Sequence, residues 1–447
     1  MSDLLSIGAS GVRAYQTALS TVGENIANTG VAGYVRRTTE LREVAVTGGS
    51  ARSVEGNGVI VGGVVRQGDV YRSQAVRQSS ADLGRTETSA TWLGEIESAM
   101  TGNKLGDRIT DFFTAGRSLA ADPTSVPSRA VLLEKAQGAA TAFRQTGQAL
   151  ARATEELNAS AERSVSTLNS LGTALAQVND GLGRAQPGSS QAAQLADQRD
   201  QLLDQMSAIT DVSTQFDALG RVQVKLGDTS GPVFVAGTEA GRVSFNRNED
   251  GAVSFAVQRS GEPDVLTPGG GALAGVVEGA ARLVAATKRL DEIATSFVTQ
   301  VNAVQQNGAD LDGVKGEKLF EPGDPPTAMT LATTDPRKLA AAALGSPAGS
   351  RDASNLAALE TARNSGGWEA GITAVVTDNA AALEQKKLVA DAQGAIRDNA
   401  VAARDSASGV DLDVEAVELM RFQQAYQASS RVIQAARDIF QTIIEIR

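Results

Sequence analysis

Apolar positions at the two ends of the chain alternate in steps of three and four, and two stretches of the middle do not follow that rhythm. From the N-terminus, Leu5, Gly8, Val12, Tyr15, Leu19, Val22 and Ile26 fall on one face of a helix. Asn28, Thr29 and Gly30 supply its stop signals. Near the other end, Leu412, Glu415, Leu419, Phe422, Tyr426, Ser429, Ile433, Ala436, Phe440 and Ile443 repeat the same spacing, and no glycine or proline follows Gly409. Both regions therefore read as amphipathic helices separated by the rest of the protein.

Further in, Asn57-Gly58 is a turn dipeptide leading into the β-branched run 59–65, which predicts a short hairpin or strand pair. Helical periodicity resumes over 70–83 and on to Met100, and 107–120 adds an amphipathic turn or two, ended by Pro123 and Pro127. A long helix is expected over 128–182, with Phe143, Leu150, Ala153, Leu157, Ala161, Leu168, Leu171, Leu175, Val178 and Leu182 as its seam. Pro187 breaks it before a second helix over 191–209. Between 211 and 267 the period changes to two: "RVQVKLG", "PVFVAG", "RVSFNR" and "AVSFAVQ" read as an antiparallel β insert. Helix returns over 273–304, a Gly/Pro/Asp-rich loop region follows over 307–350, and two last helices span 372–405 and 412 to the end.

Composition narrows the function. All eleven prolines lie between Pro123 and Pro347, so both ends are free to form long helices. A formal charge of -11 argues against nucleic acid, which needs a positive stripe, and no basic run adjoins apolar sequence to favour a membrane surface. The chain has no histidine and no cysteine. That removes the usual general base, thiol nucleophiles, thiolate zinc sites and disulfides, and leaves packing to hold the fold. The start of the sequence lacks the pattern of a cleavable signal peptide, and no apolar run approaches the roughly 18 residues of a membrane span. Export, if it occurs, is expected to use another route.

Three local patterns suggest chemistry and have plainer explanations. "NGADLDG" at 307–313 resembles a calcium loop, but Val314 and Lys315 stand where further oxygen ligands belong; an Asp/Gly turn is expected. "PGGGALAG" lacks the Gly-Lys-Ser/Thr ending of a phosphate loop and reads as a hinge between β insert and returning helix. Asp197, Arg199 and Asp200 are expected to form ion pairs within or between helices. No catalytic, cofactor or metal site stands out.

The segment "NIANTGVAGYVRR" (25–37) strongly resembles the N-terminal signature of flagellar axial proteins, with Glu24 where a second asparagine is more usual. "GVDLDVEAVELMRFQQAYQASSRVIQAARDIFQTIIEIR" (409–447) resembles their C-terminal signature. Rod, hook and junction proteins share both ends. The interior decides among them: the long helix before 183, "LADQRDQLLDQMSAITDVS" (195–213) and the returning helix with its loop resemble the FlgK family of hook-associated junction proteins. The segment 320–350 is too short for the second β domain of fuller members.

The resemblance implies a non-enzymatic structural subunit between hook and filament, secreted by the flagellar type III system. It implies self-assembly into a ring or stack, hook protein and second junction protein as neighbours, and an export chaperone on the C-terminal helix. The expected fold is mainly α with a β insert: residues 1–70 with 409–447 as the helical polymerisation core, with coiled-coil ends and a short hairpin; 71–210 with 272–306 and 351–408 as a helical bundle arm; 211–271 as an outer antiparallel β domain; and 307–350 as loop. Candidate assembly residues are Leu5, Val12, Tyr15, Leu19, Val22, Ile26, Asn28, Tyr34, Leu412, Leu419, Phe422, Tyr426, Ile433, Phe440 and Ile443. Six apolar residues at about 2 kcal/mol each do not offset about 1–2 kcal/mol per residue over the first helix, so the ends are expected to order fully only against neighbours. A β-rich interior would instead mark a hook or rod protein, and a compact carboxylate cleft a peptidoglycan-cleaving enzyme.

Overall fold

Helix α4 (Val126–Arg184), about 90 Å long at the ordinary helical rise, is the spine of the molecule. In the computed structural model, residues 2–44 and 58–445 are described. Pro127 does not end the preceding element as expected. It lies in the first turn of α4, where its missing N–H is no loss, and the Ser125 side chain accepts from Ser128 N as the cap.

Before the spine come α1 (Ser2–Ala27), the strands β1 (Arg37–Glu43) and β2 (Val59–Arg66), α2 (Val70–Gly102) and α3 (Leu105–Ala121). The predicted strand run 59–65 pairs antiparallel with β1, a partner the sequence reading did not identify. The Asn57 half of the expected turn lies outside the described residues. Helix α3 is a full helix rather than a turn or two, because Phe112, Phe113 and Leu119 are fully buried along it.

Helix α5 (Ser190–Ile209) leads into two antiparallel sheets: β3 (Val212–Phe216), β4 (Val222–Leu226), β5 (Val233–Ala236) and β6 (Glu239–Ala240) in sequence order, then β7 (Arg242–Arg247), β8 (Val253–Gln258) and β9 (Asp264–Leu266). These sheets lie along the flank of the helices and share their core. Val222, Val224, Leu226, Phe234, Val243, Phe255 and Leu266 belong to the same hydrophobic cluster as Leu168 and Leu175 of α4. Two asparagines of α4 fix the contact. Asn179 donates to Val222 O at 2.8 Å and accepts from Val222 N at 2.9 Å; Asn169 does the same with Val243 at 3.0 and 2.7 Å. Each satisfies backbone groups that burial would otherwise leave unpaired.

Helix α6 (Gly271–Gln306) returns beside α5, and its first residue approaches the Ile209 backbone, so the two ends of the insert are adjacent. The segment 307–350 holds only two-residue strands and short 3-10 turns, yet it is pinned from inside. Asn302 binds Leu319 N, Phe320 N and Phe320 O; buried Arg129 donates to Pro123 O and Leu339 O at 2.7 and 2.6 Å. Asp310 accepts from Asp312 N and Val314 N, the expected Asp/Gly turn.

Three helices complete the molecule: α7 (Ser354–Gly366), which the sequence reading did not resolve, α8 (Trp368–Ser408) and α9 (Leu412–Glu445). Phe112, Phe113, Phe143, Phe297, Phe320 and Trp368 meet in one aromatic hub, with Phe113 and Trp368 stacked 5.7 Å apart. Helix α8 runs antiparallel to α2: Asn379 donates to Leu93 O, and Arg72 to Ala403 O.

Candidate assembly interface

The two signature regions meet. Helix α1 packs antiparallel on α9, so Gly8 faces Ile433 and Asn25 faces Glu415. Close approach requires small residues on α1. A Cβ on Gly8 would lie 2.7 Å from Ile433 Cγ1, and one on Gly11 would lie 2.6 Å from Ser429 Oγ. The shared core is small: Ala18, Val22 and Phe422 are buried, with Tyr15, Leu19, Ile26, Leu41 and Leu419 packed around them. Of the remaining candidates, Leu5, Val12, Tyr426 and Ile433 are half-buried along the same seam, whereas Leu412 and Phe440 stand more than half exposed at its two ends. The Ile443 side chain lies outside the described set.

A polar lock sits at one end of the apolar seam. Asn25 is fully buried and uses its whole side chain. Its Nδ2 donates to Arg37 O at 2.8 Å and Glu415 Oε2 at 3.0 Å; its Oδ1 accepts from Arg37 N at 3.0 Å and Tyr34 Oη at 2.9 Å. Glu415 is 0% exposed, and its second oxygen accepts from Arg36 Nε at 2.7 Å. Burial, opposed by Arg37, raises the Tyr34 pKa further above its ordinary value. Asn28 is half-buried, and its amide donates to Glu24 O at 2.7 Å, closing the end of α1. A buried carboxylate with fixed partners penalises any sliding of α9 along α1, so this group sets their register.

Asn25, Arg36 and Arg37 lie outside the candidate assembly residues, and Glu415 enters the sequence pattern only as a seam position. A glutamate recurring at an apolar spacing was the available signal. Asp197 and Asp200 also find partners that helix spacing did not indicate. Arg37 and Arg66, on the strands β1 and β2, reach Asp197 at 2.8 Å each, and Arg66 reaches Asp200 at 2.9 Å.

Helix α9 carries a second apolar stripe turned away from α1. Val414, Val417, Val432 and Ile439 are all exposed, by 39–59%. Four such residues on one helix make an apolar face without a partner in the monomer. Among the described residues no acidic group is arranged to hold a metal ion, and no helix is long and apolar enough to cross a membrane.

Residues 93–320 match the family model described as the flagellar hook-associated protein FlgK helical domain, and residues 403–446 match that of the flagellar basal body rod FlgEFG protein C-terminal. The chain is 28% identical to flagellar hook-associated protein 1 of Salmonella typhimurium over 337 residues, covering 73% of this chain and 60% of the relative. It thus spans well under two thirds of that protein's length. The flagellar hook-associated protein 1 of Bacillus subtilis is 23% identical, with 96% of this chain and 95% of the relative covered. The flagellar hook junction protein FlgK of Burkholderia pseudomallei shares the fold, with a TM-score of 0.65 at 15% identity over 74% of this chain and all of that one. The match to the helical-domain model runs from within α2, through α6, to Phe320 and so covers half of the chain, and on that ground the chain belongs to the FlgK family of flagellar hook-associated proteins.

Proposed function

We propose that this protein is a non-catalytic structural subunit joining the flagellar hook to the filament, polymerised through α1 and α9. The observation that carries the reading is the outward stripe of α9, Val414, Val417, Val432 and Ile439, on a helix already locked to α1 by Asn25 and Glu415. A helix with one face satisfied and another apolar face in water gains by packing against a neighbouring copy. The relatives' names place them at the hook and its junction, which supports the same site for this chain. By this reading the subunit is secreted through the flagellar type III system. Its partners are further copies of itself, the hook protein, the second junction protein and an export chaperone on α9.

Gene deletion in the source bacterium, followed by electron microscopy, tests this. The expected cells carry hooks without filaments, restored by the wild-type gene and not by one carrying Val417→Asp and Ile439→Asp. Filaments attached normally in the deletion strain would overturn the reading.

A further inference from the structure

A cavity of about 1040 Å³ opens on the helical arm, and none of its lining residues belongs to α1, β1, β2 or α9. Helices α4 and α6 wall it. Along α6 it runs from Val284 to Gln300, about 24 Å at the ordinary helical rise. Two other segments sit directly on these helices. A Cβ on Gly251, in the turn between β7 and β8, would lie 2.8 Å from Val284 Cγ2; one on Gly147 of α4 would lie 2.4 Å from Thr327 Oγ1. Ala151 and Val284 give the groove apolar surface between its polar side chains.

The charge in this groove is unbalanced. Glu155, Glu249, Asp250, Asp291 and Glu292 line it against only Arg247 and Lys288. Arg247 is committed to Asn158 Oδ1 at 3.1 Å. Of these carboxylates only Glu292 has an ion pair among the described residues, and its partner Arg289 is not part of the lining. Asp291 stands out. Burial raises its pKa, and a hydrogen bond from the Thr327 backbone is the single opposing influence. Elsewhere in the arm a sheltered carboxylate is met by cations: Arg77 and Arg404 at Asp204, Lys386 and Arg85 at Glu278. Beside Asp291, Thr327 is 3% exposed and lines the groove, and its hydroxyl makes no hydrogen bond among the described residues. A sheltered carboxylate and a buried hydroxyl both lower their free energy when a donor reaches them.

We propose that the groove binds an elongated aliphatic cation, a linear polyamine, with one ammonium group on Asp291 and its methylene chain along Ala151 and Val284. A polyamine carries positive charges separated by short apolar stretches, and the groove sets carboxylates along an apolar surface in the same way. An ammonium donates up to three hydrogen bonds and accepts none, so one group can serve both Asp291 and Thr327 Oγ1. A bare metal ion fits less well, because among the described residues no acidic group is arranged to hold one. The site lies wholly within the arm and is independent of the terminal helices.

Spermidine is the probe, titrated calorimetrically into the full-length monomer at low ionic strength. Saturable binding of one spermidine per chain is expected. Asp291→Asn, which keeps the shape of the side chain, should weaken it by about tenfold or more. Ala151→Trp fills the groove from an exposed position without removing a charge, and should abolish binding. Glu262→Gln, at an exposed carboxylate outside the groove, controls for diffuse attraction to a chain of charge -11 and should bind as the wild type does. Circular dichroism melts establish that each variant is folded. Uptake that does not saturate, wild-type affinity in Asp291→Asn or in Ala151→Trp, or equal weakening in Glu262→Gln would each overturn the proposal.

Discussion

Asn25 shows how one side chain can decide an interface. Four hydrogen bonds converge on it from α9, β1 and the loop before β1, and none can be replaced by water at a fully buried position. Asn25→Ala leaves the Glu415 carboxylate and the Tyr34 hydroxyl short of partners, at a cost of about 1–3 kcal/mol. Hydrogen exchange should show α1 and α9 losing protection by that amount while α4 and α6 keep theirs. A comparable clamp holds the arm. Burial pushes the Glu278 carboxyl up, but hydrogen bonds from Lys386, Arg85 and Ser89 more than offset it and hold the carboxyl below its ordinary value of 4.5. A carboxylate that binds its proton less tightly when folded stabilises the fold above its unfolded value and loses that contribution as pH falls through the folded one. Glu278→Gln should therefore lower the urea midpoint at pH 7, and the gap from wild type should close below about pH 4.5.

At the scale of elements, α9 has two faces, one packed on α1 and one open to water. Val22→Asp on α1 places a charge in the seam, at a cost of several kcal/mol, and should unfold the terminal pair in the monomer. Val417→Asp on the outer stripe is exposed and should change monomer stability by no more than about 0.5 kcal/mol, yet prevent incorporation into hooks. Circular dichroism of the monomers and electron microscopy of the cells separate the two outcomes. The seam was legible because a step of three and four marks a face whatever it packs against. The outer stripe was not, since Arg421, Gln424 and Ala428 interrupt its apolar residues and only the observed pairing shows which face α1 leaves free. Helix α3 was understated for a related reason: a burial-rich short helix looks like a fragment until its phenylalanines are seen in the aromatic hub.

Across the whole molecule, the order of elements and the β insert could be read from periodicity, turn residues and family motifs. The connection between units could not. Arg37 and Asp197 are separated by 160 positions, and no local pattern links a strand arginine to an aspartate on a distant helix. The same limit applies to the insert. Its ends do lie together, and that geometry taken alone would make it removable with little effect on polymerisation. Its strands, however, share the core of α4. Replacing 212–268 with a short linker would uncover Leu168 and Leu175 and leave Asn169 and Asn179 without their sheet partners. The deletion is expected to lower the thermal midpoint of the arm by at least 10 °C, on the basis of roughly 2–5 kcal/mol per large buried side chain left uncovered. Scanning calorimetry on the purified variant measures it.

Because the bonds from Glu415 reach Asn25 and Arg36 across 390 and 379 positions, the terminal pair can close only after nearly everything between has been delivered. Loop closure over such a distance is slow in an open chain, and the α2–α8 contacts that bring 69 and 409 together, such as Arg72 with Ala403, themselves span 331 positions. Whichever end arrives first must wait for the other. If α9 recruits the next copy, as proposed, a chain cut short anywhere before α9 lacks that surface. On that reading the topology acts as a proofreading step, and an incomplete subunit excludes itself from the growing structure.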